Sequence, residues 1–354
     1  MGVQKKHIEE MVHAISTPMI IDVRSPKEFN HAHIPGALSL PLFDDEQRAI
    51  VGTTYKKQSR EDAIKIALPF FGDKMLNMVK QVEKWVRAFE EKNPGVPPNI
   101  CVHCWRGGMR SAAVAWLLDL YGFKVFQLVG GYKAYRNWII AQYSIQRTIN
   151  VVGGYTGSGK TEILHALKEA GQQVVDLEGL ANHKGSSFGA LGQAPQPSQE
   201  MFENLLGQAL YNCKDEATPI WIEDESQRIG TVMVPSIFFD LMRQCPCYFI
   251  DIPFEERLDF ITTQYGRFEK EALIAATLRV QKRLGGLETK NTIGLIEENQ
   301  IKEAFAILLK YYDKWYAKFS QADTKPKQQI LPLSSPQVNP QENAKLLLNY
   351  SPTL

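Results

Sequence analysis

The sequence predicts an α/β protein with two parallel-sheet domains in series, the second of which has a helical C-terminal region. Three observations predict this: a length of 354 residues, apolar segments that alternate with helical patterns, and two glycine loops that each join a strand to a helix. We place the domains at residues 1–140 and 141–320. Residues 321–354 are polar and proline-rich, which predicts a loosely ordered tail.

Composition limits the function classes. Hydrophobic residues make up 44% and charged residues 22%, as in ordinary globular proteins. No apolar segment approaches the roughly 20 residues needed to span a bilayer, and the first residues lack an apolar signal core, so we expect a cytoplasmic protein. The formal net charge of +1 neither indicates nor excludes a nucleic-acid partner. The five cysteines fit a reducing compartment better than a disulfide framework.

The elements of the first domain are predicted from apolar spacing and turn residues. Helix 75–91 carries apolar side chains at helical spacing and is followed by Asn93-Pro94-Gly95. Helix 111–121 ends at Gly122. The remaining elements are a helical turn at 27–29, strands at 19–23, 38–42, 99–104 and 124–129, and a helix at 132–143.

The second domain is predicted in the same way. Strand 147–152 leads into a glycine loop, and helix 161–170 follows that loop. The pattern from 254 to 319 is helical. Further strands are predicted at 174–177, 219–224 and 248–252. Within the tail, the apolar segment 344–348 could instead dock as a short helix.

A cysteine at the end of strand 99–104 begins the glycine loop of the first domain. The N–H groups of such a loop and of the following helix favour negative charge, so Cys104 is predicted to be a reactive thiolate near neutral pH. Arg106 and Arg110 add donors suited to an oxyanion, and Gly107 and Gly108 permit close backbone approach. We predict a catalytic Cys104 and an anion held by these four neighbours.

A second cysteine, Cys101, lies three residues before Cys104. Strand alternation turns the two thiols to opposite faces, so we interpret Cys101 as a core residue. A resolving thiol is the alternative if the strand bends. No second cysteine pair with suitable histidines has zinc-site spacing, and we expect no zinc site.

The glycine loop of the second domain has the pattern Gly-x-x-x-x-Gly-Lys-Thr, in the strand-to-helix context of a P-loop. The N–H groups of residues 156–160 are expected to surround a diphosphate, Lys160 to contact its oxygens, and Thr161 to reach a magnesium ion if one binds. The predicted diphosphate-binding residues are Gly154, Thr156, Gly157, Ser158, Gly159, Lys160 and Thr161.

Charged residues outside the loops are further candidates. Asp224, at a strand end between two glutamates, is the best candidate for an acidic group that binds magnesium. His183 lies in a polar loop of the kind that carries function, although a lone histidine there is more often incidental. Basic residues with aromatic neighbours indicate a nucleic-acid surface, with a solvated helix face as the alternative. These basic candidates are Lys56, Arg267, Arg279 and Arg283.

Several segments around the cysteine loop resemble the markers of rhodanese domains, namely 20–29, 33–37 and 128–131. The loop His103-Cys104-x-x-Gly107-x-x-Arg110-Ser111 also matches the tyrosine-phosphatase signature, because both families hold a thiolate and an anion in the same kind of loop. Together with the P-loop and segments 51–56, 176–186 and 221–226, residues 5–315 closely resemble the tRNA 2-selenouridine synthase family.

This resemblance implies a transferase that modifies the wobble uridine of tRNA. The family replaces the sulfur of 2-thiouridine with selenium from selenophosphate, and S-geranyl-2-thiouridine, formed from geranyl diphosphate, is the intermediate. The resemblance therefore implies selenophosphate at the Cys104 loop, geranyl diphosphate at the P-loop and tRNA at the basic candidates. It also implies a selenophosphate-producing enzyme as a partner.

Two other function classes are compatible with the residues. One is a rhodanese-type phosphatase or sulfurtransferase with a regulatory P-loop domain. A phosphatase usually also needs a carboxylic general acid near its cysteine, and the sequence identifies none. The other is a sulfur-carrier or tRNA-binding module that turns over no substrate of its own.

Overall fold

The computed structural model describes residues 2–14, 18–320 and 328–350, and it contains two compact units, Met1–Ala141 and Gln142–Leu354. Both are α/β units built on parallel five-stranded sheets, which confirms the predicted fold class. Within the described ranges, no helix is long and apolar enough to cross a membrane.

The first unit alternates strands and helices along most of its length. Its strands are β1 (Gln4–Lys6), β2 (Pro18–Asp22), β3 (Leu38–Ser39), β4 (Asn99–His103) and β5 (Val125–Leu128). Its helices are α1 (Ile8–Ala14), α2 (Pro26–His31), α3 (Asp45–Lys57), α4 (Arg60–Lys92), α5 (Met109–Tyr121) and α6 (Gly131–Gln142).

The sheet of the first unit has the order β1-β5-β4-β2-β3, and all of its pairs are parallel. Strand β4 is central and buried, and it packs with α4 and α5 in one apolar core that includes Ile100, Val82 and Leu118. Because the cysteine loop follows β4, it lies at the carboxyl edge of a rigid sheet. This is the edge at which ligands bind in open parallel sheets.

The long helix α4 begins 15 residues earlier than predicted, and α3 was not predicted at all. Both helices start at residues whose side chains accept a backbone N–H three residues on, Asp44 from Gln47 and Ser59 from Asp62. Such N-cap residues are a signal in the sequence. The prediction relied on apolar spacing, which is weak in the polar α3 segment.

The second unit is larger and richer in helix. Its strands are β6 (Ile149–Gly154), β7 (Gln173–Val175), β8 (Ile220–Glu223), β9 (Arg228–Ile229), β10 (Val232–Met233), β11 (Cys247–Asp251) and β12 (Ile330–Ser334). Its helices are α7 (Lys160–Glu169), α8 (Leu177–Ala181), α9 (Gln199–Asn212), α10 (Ser236–Met242), α11 (Phe254–Tyr265), α12 (Lys270–Arg279), α13 (Gln281–Leu284), α14 (Gly286–Glu297), α15 (Ile301–Ser320) and α16 (Pro340–Tyr350).

The main sheet of the second unit has the order β12-β11-β6-β8-β7, again with parallel pairs throughout. The short strands β9 and β10 form a separate antiparallel pair. Strand β6 is central, and its carboxyl end leads through the P-loop into α7. The P-loop therefore has the strand-to-helix setting that the motif requires.

The C-terminal segment differs from the predicted loose tail. Residues 330–334 pair with β11 over five positions, and Leu333, Ala344 and Leu347 join the apolar core around α7. The prolines are compatible with this order, because Pro332 lies on an edge strand and Pro340 is the first residue of α16. The docked helix that the sequence offered as an alternative is the one observed. Residues 321–327 and 351–354 of the predicted tail lie outside the described residues.

Candidate functional sites

The first candidate site is the loop that joins β4 to α5, here called the thiol loop (Cys104–Gly108). Cys104 is buried, and its Sγ lies 3.3 Å from the Oγ of Ser111 in the first turn of α5. The Ser111 hydroxyl is also 3.1 Å from the carbonyl oxygen of Gly108, which caps the helix. The thiol is thus held next to the N-terminus of a 13-residue helix, where negative charge is favoured.

The turn between β5 and α6 holds the thiol loop through backbone contacts. Gly107 has φ +63 and Gly131 has φ +59. A Cβ on Gly107 would lie 2.3 Å from the carbonyl oxygen of Leu128, and one on Gly131 would lie 2.2 Å from that of Cys104. Only glycine fits both positions. This close approach is the physical reason for glycine in the segment at 130–131.

Gly108 does not share that constraint. No atom lies within 4 Å of the position its Cβ would occupy, so the expected close backbone approach applies to Gly107 and not to Gly108.

A buried glutamine, which the sequence analysis did not identify, also holds the loop. The Nε2 of Gln127 donates to the carbonyl oxygens of Gly107 and Gly108 at 2.9 and 3.2 Å and to the Oγ of Ser111 at 2.9 Å. These bonds orient the carbonyl groups of Gly107 and Gly108 toward the Gln127 side chain. The signal in the sequence was a polar residue inside the otherwise apolar strand β5.

The two arginines of the loop are in different situations. Arg106 is exposed, whereas Arg110 donates from Nη1 to the Oε2 of Glu28 at 2.8 Å. Burial alone would raise the pKa of Glu28, but the hydrogen bond and charge of Arg110 outweigh it and hold that pKa below its ordinary value. An anion at the thiol loop would therefore share Arg110 with Glu28.

A buried ionic network lies behind the loop. Arg24 donates to Asp22 through Nε and Nη2, at 2.7 Å for Nη2, and its guanidinium lies 3.9 Å from the ring centre of Tyr132. The Nε2 of His103 lies 3.7 Å from Asp22 Oδ2. Burial lowers the pKa of His103 despite the nearby Asp22 carboxylate. Asp22 and Arg24 are two of the rhodanese-like markers, and here they support the strand end that carries Cys104.

Cys101 lies in the core, as interpreted from strand alternation. It is fully buried, its Sγ is 3.3 Å from the Sδ of Met11, and burial raises its pKa to about 12. A thiol in this environment is protonated at neutral pH.

The second candidate site is the P-loop. Lys160 Nζ donates to the carbonyl oxygen of Gly154 at 3.2 Å, so its ammonium group folds back over the loop. The Thr161 hydroxyl donates to Glu178 Oε2 at 2.8 Å. Ser158 is almost fully buried, and its hydroxyl has no hydrogen-bond partner among the described residues. These groups converge as a phosphate cradle requires.

A buried arginine on α11 supports the P-loop from outside. Arg257 donates to the carbonyl oxygen of Thr156 at 3.0 Å and makes a bidentate pair with Asp313 on α15 at 3.0 and 2.9 Å. The Arg257 side chain is only 5% exposed and that of Asp313 is 24% exposed, so the pair is partly shielded from solvent. The sequence analysis missed Arg257, since the residue lies about 100 positions from the loop that it supports.

Three glutamates gather near Lys160 and Thr161. Glu223 is fully buried, and its Oε1 accepts the N–H of Glu178 at 2.7 Å. Burial raises the pKa of Glu178 and, to a greater degree, that of Glu223. Burial and the charge of Glu178 together raise the pKa of Glu225 to about 8. Protonated Glu225 donates to Glu178, so the cluster shares protons at neutral pH.

Asp224, the predicted magnesium ligand, is bound by other side chains. Arg243 Nη1 donates to its Oδ1 and Tyr316 donates to its Oδ2, both at 2.5 Å. Gln328 of the C-terminal segment accepts from the same arginine at 3.2 Å. The carboxylate at the Thr161 hydroxyl is instead that of Glu178. In the part of the chain that the structure describes, no group of three or more His, Cys, Asp and Glu residues has the arrangement of a metal site.

A cavity of about 980 Å³ opens beside the P-loop. Lys160, Thr161, Lys184 and Arg243 contribute to its polar part. One face of α15 contributes an aromatic part, here called the aromatic wall. The aromatic wall consists of Tyr311, Tyr312, Trp315 and Tyr316.

The remaining candidates are distributed over both units. His183 is nearly buried, and burial together with the charge of Arg279 lowers its pKa. Lys56 is exposed on α3 of the first unit. Arg267 and Arg279 are exposed on the second unit, where Arg279 donates to the Ser187 carbonyl oxygen at 2.8 Å. Arg283 lines the cavity, and its guanidinium is 5.5 Å from the ring centre of Trp315.

Comparison with known families covers both units. Residues 5–137 match the rhodanese-like domain family. Residues 147–332, more than half of the chain, match the AAA domain of tRNA 2-selenouridine synthase. The chain belongs to the tRNA 2-selenouridine synthase family. This confirms the resemblance inferred from the motifs.

Individual members of this family are similar along most of the chain. The tRNA 2-selenouridine synthase of Hydrogenovibrio crunogenus is 36% identical over 84% of this chain and 88% of its own length. That of Nitrosomonas europaea is 38% identical over 71% and 64%, respectively. That of Bdellovibrio bacteriovorus is 35% identical over 80% of each chain. The similarity therefore extends across both candidate sites.

Proposed function

We propose that this protein is a tRNA-modifying transferase that converts wobble 2-thiouridine to 2-selenouridine. One observation carries the proposal. This member of the family has both a buried thiol at a helix N-terminus and a P-loop beside an aromatic cavity. The relatives are named for selenouridine synthesis. Two anion sites of different shape suit a reaction that uses two different anionic co-substrates.

The first step is geranyl transfer at the P-loop. The sulfur of 2-thiouridine attacks the geranyl carbon, the carbon–oxygen bond to the diphosphate breaks, the diphosphate leaves, and the N3 proton of the base passes to solvent. Lys160 and the loop N–H groups stabilise the negative charge that develops on the leaving group. If magnesium takes part, Thr161 and Glu178 are the residues placed to hold it, because their side chains are already in contact.

The aromatic wall favours a hydrocarbon attached to the diphosphate. The Tyr312 hydroxyl is 2.7 Å from Ser187 Oγ, Tyr316 donates to Asp224, and the Tyr311 hydroxyl accepts a hydrogen bond from Arg283. With these hydroxyls engaged, the wall offers mainly ring carbon. A nucleobase placed there would lose hydrogen bonds to water without replacing them, whereas a geranyl chain would lose none.

The second step is selenium transfer at the thiol loop. Selenophosphate binds near Cys104 with Arg106 and Arg110 as donors. Its selenium attacks C2 of the base, the C2–S bond breaks, and the geranylthiolate that leaves takes a proton from water. Water then cleaves the Se–P bond, which gives 2-selenouridine and phosphate. A selenophosphate-producing enzyme would supply this co-substrate. We place the reaction in the cytoplasm, where tRNA and a reduced thiol are both present.

The phosphatase alternative finds less support. Near the thiol loop, Asp22 is bonded to Arg24 and Glu28 is paired with Arg110, so neither carboxyl group has the properties of a general acid.

Mass analysis of tRNA nucleosides tests the proposal. The protein is incubated with 2-thiouridine tRNA and geranyl diphosphate, with selenophosphate, or with both. We expect S-geranyl-2-thiouridine with the first donor alone and 2-selenouridine when both are present. Unchanged 2-thiouridine in all three reactions would refute the proposed function.

A further inference from the structure

An exposed aromatic ring lies directly beside the buried thiol. Trp105 follows Cys104 and leaves 38% of its surface exposed. Its carbonyl oxygen accepts the N–H of Lys133 at 3.0 Å, and its ring centre is 5.6 Å from that of Tyr132. The residue is therefore fixed to the loop by its backbone and by one ring contact, while part of the indole stays accessible.

The support behind this ring is buried. Tyr132 is fully buried, with the Arg24 guanidinium 3.9 Å from its ring centre and the ring of Tyr135 6.2 Å away. Trp105 is the exposed end of this aromatic row. Because Tyr132 and Tyr135 are fully buried in a close-packed core, they give Trp105 a fixed surface to pack against.

Two exposed cations accompany Trp105. Arg106 is its neighbour in the chain, and Lys133 is the residue whose N–H bonds its carbonyl. An accessible ring with flanking cations is the combination that binds single-stranded nucleic acid, through base stacking and phosphate contacts. A purely apolar partner would leave both cations without a counter-charge.

We propose that Trp105 stacks against a nucleobase of the anticodon loop, while Lys133 contacts an adjacent phosphate and Arg106 remains available to selenophosphate. Bases in single-stranded loops can turn outward to stack on aromatic side chains. The stacked nucleotide would bring the modified base to Cys104. This inference rests on the proposed function, since it takes tRNA as the ligand.

The test compares the affinity of full-length variants for 2-thiouridine tRNA at fixed salt. Trp105→Ala should raise the Kd roughly tenfold, the effect of losing one base–aromatic stack, and Trp105→Phe should recover most of the loss. Trp116→Ala is the matched control, because Trp116 is 52% exposed on α5 of the same unit. Equal Kd values for Trp105→Ala and Trp116→Ala would overturn the proposal.

Two further measurements separate stacking from damage to the loop. Trp105→Ala should raise KM for tRNA but not for selenophosphate, whereas a distorted loop would raise both. Replacing Lys133 with alanine should reduce the slope of log K against log salt by about one, for the one lost phosphate contact. An unchanged slope would contradict the role of Lys133.

The outcomes also distinguish this inference from the function on which it rests. If the wild-type protein leaves 2-thiouridine unchanged yet Trp105→Ala weakens tRNA binding, the proposed function fails and the stacking site stands. If the wild-type protein makes 2-selenouridine and Trp105→Ala binds tRNA normally, the function stands and the stacking site fails.

Discussion

The thiol loop of the first unit is held mainly by backbone and amide contacts, whereas the P-loop of the second is held by charged side chains. Glycines pack the thiol loop against the β5–α6 turn, and Gln127 bonds its carbonyl oxygens. The P-loop is supported by the Arg257–Asp313 pair and faces a cluster of acids. The Asp22–Arg24 pair lies behind the thiol loop, but the contacts within that loop are uncharged, whereas the P-loop is contacted directly by charged side chains. The two loops should therefore respond differently to substitution, salt and pH.

Loss of the P-loop cation should have the largest effect. Lys160→Ala should weaken binding of inorganic diphosphate at least about 100-fold, because a charged partner of the anion is removed from a partly enclosed site. Calorimetric titration of the full-length protein measures this. Lys168→Ala, an exposed lysine on the same helix, is the control and should bind normally. If Lys160→Ala and Lys168→Ala bind diphosphate equally well, the P-loop does not hold the diphosphate.

Removal of Arg257 should be the next largest effect. Arg257→Ala leaves Asp313 and the Thr156 carbonyl oxygen without their partner, which should lower the free energy of unfolding by about 3 kcal/mol. Chemical denaturation measures this. The exposed pair Lys302–Asp259 joins the same two helices, and Lys302→Ala should lower stability much less, because solvent screens that pair. Similar losses of stability for Arg257→Ala and Lys302→Ala would show that the Arg257–Asp313 pair stabilises the protein no more than an exposed ion pair does.

The acidic cluster should make the second unit less stable as pH rises. The pKa of Glu225 is raised to about 8 in the folded protein from an ordinary value of 4.5. Between these values the unfolded chain loses a proton that the folded chain keeps, so stability falls as pH rises, by at most about 1.4 kcal/mol per pH unit. Below pH 4.5 and above pH 8 this contribution no longer changes.

Thermal unfolding of the wild type and of Glu225→Gln between pH 5 and 8 checks this expectation. The difference in Tm should grow in favour of the glutamine variant as pH rises. A constant difference would mean that Glu225 ionises normally in the folded protein. The thiol loop belongs to the first unit, and we expect the pH dependence of that unit's stability to be the same in the wild type and in Glu225→Gln.

Loss of the glutamine behind the thiol loop should have the smallest effect on stability. Gln127→Ala removes a buried Nε2 group whose two hydrogens are shared among three acceptors, and it should cost about 1–2 kcal/mol. The rate at which iodoacetamide alkylates Cys104 should also change, because the carbonyl groups of the thiol loop are then free to turn. Gln58→Ala, at an exposed residue of the same unit, provides the control. An alkylation rate equal to that of the control would show that Gln127 does not shape the loop.

Sequence reasoning identified both loops because each is a local motif that a strand and a helix position in a fixed way. It did not identify Gln127 or Arg257, since each acts on a loop about 20 or 100 residues away, and such pairings appear only once the sheet forms. It assigned Asp224 to magnesium because it could not show that Arg243 and Tyr316 bind that carboxylate. It read the C-terminal prolines as signs of disorder, although one lies on an edge strand and another begins a helix.

The central claim is that the two loops serve two separate steps, and tRNA that already carries S-geranyl-2-thiouridine tests it most directly. Given this tRNA and selenophosphate, Lys160→Ala should form 2-selenouridine at the wild-type rate, because the geranyl step has been bypassed. Cys104→Ser should form none, although it should still geranylate 2-thiouridine tRNA. Failure of Lys160→Ala on the geranylated tRNA, or selenation by Cys104→Ser, would contradict the assignment of the two steps to the two loops.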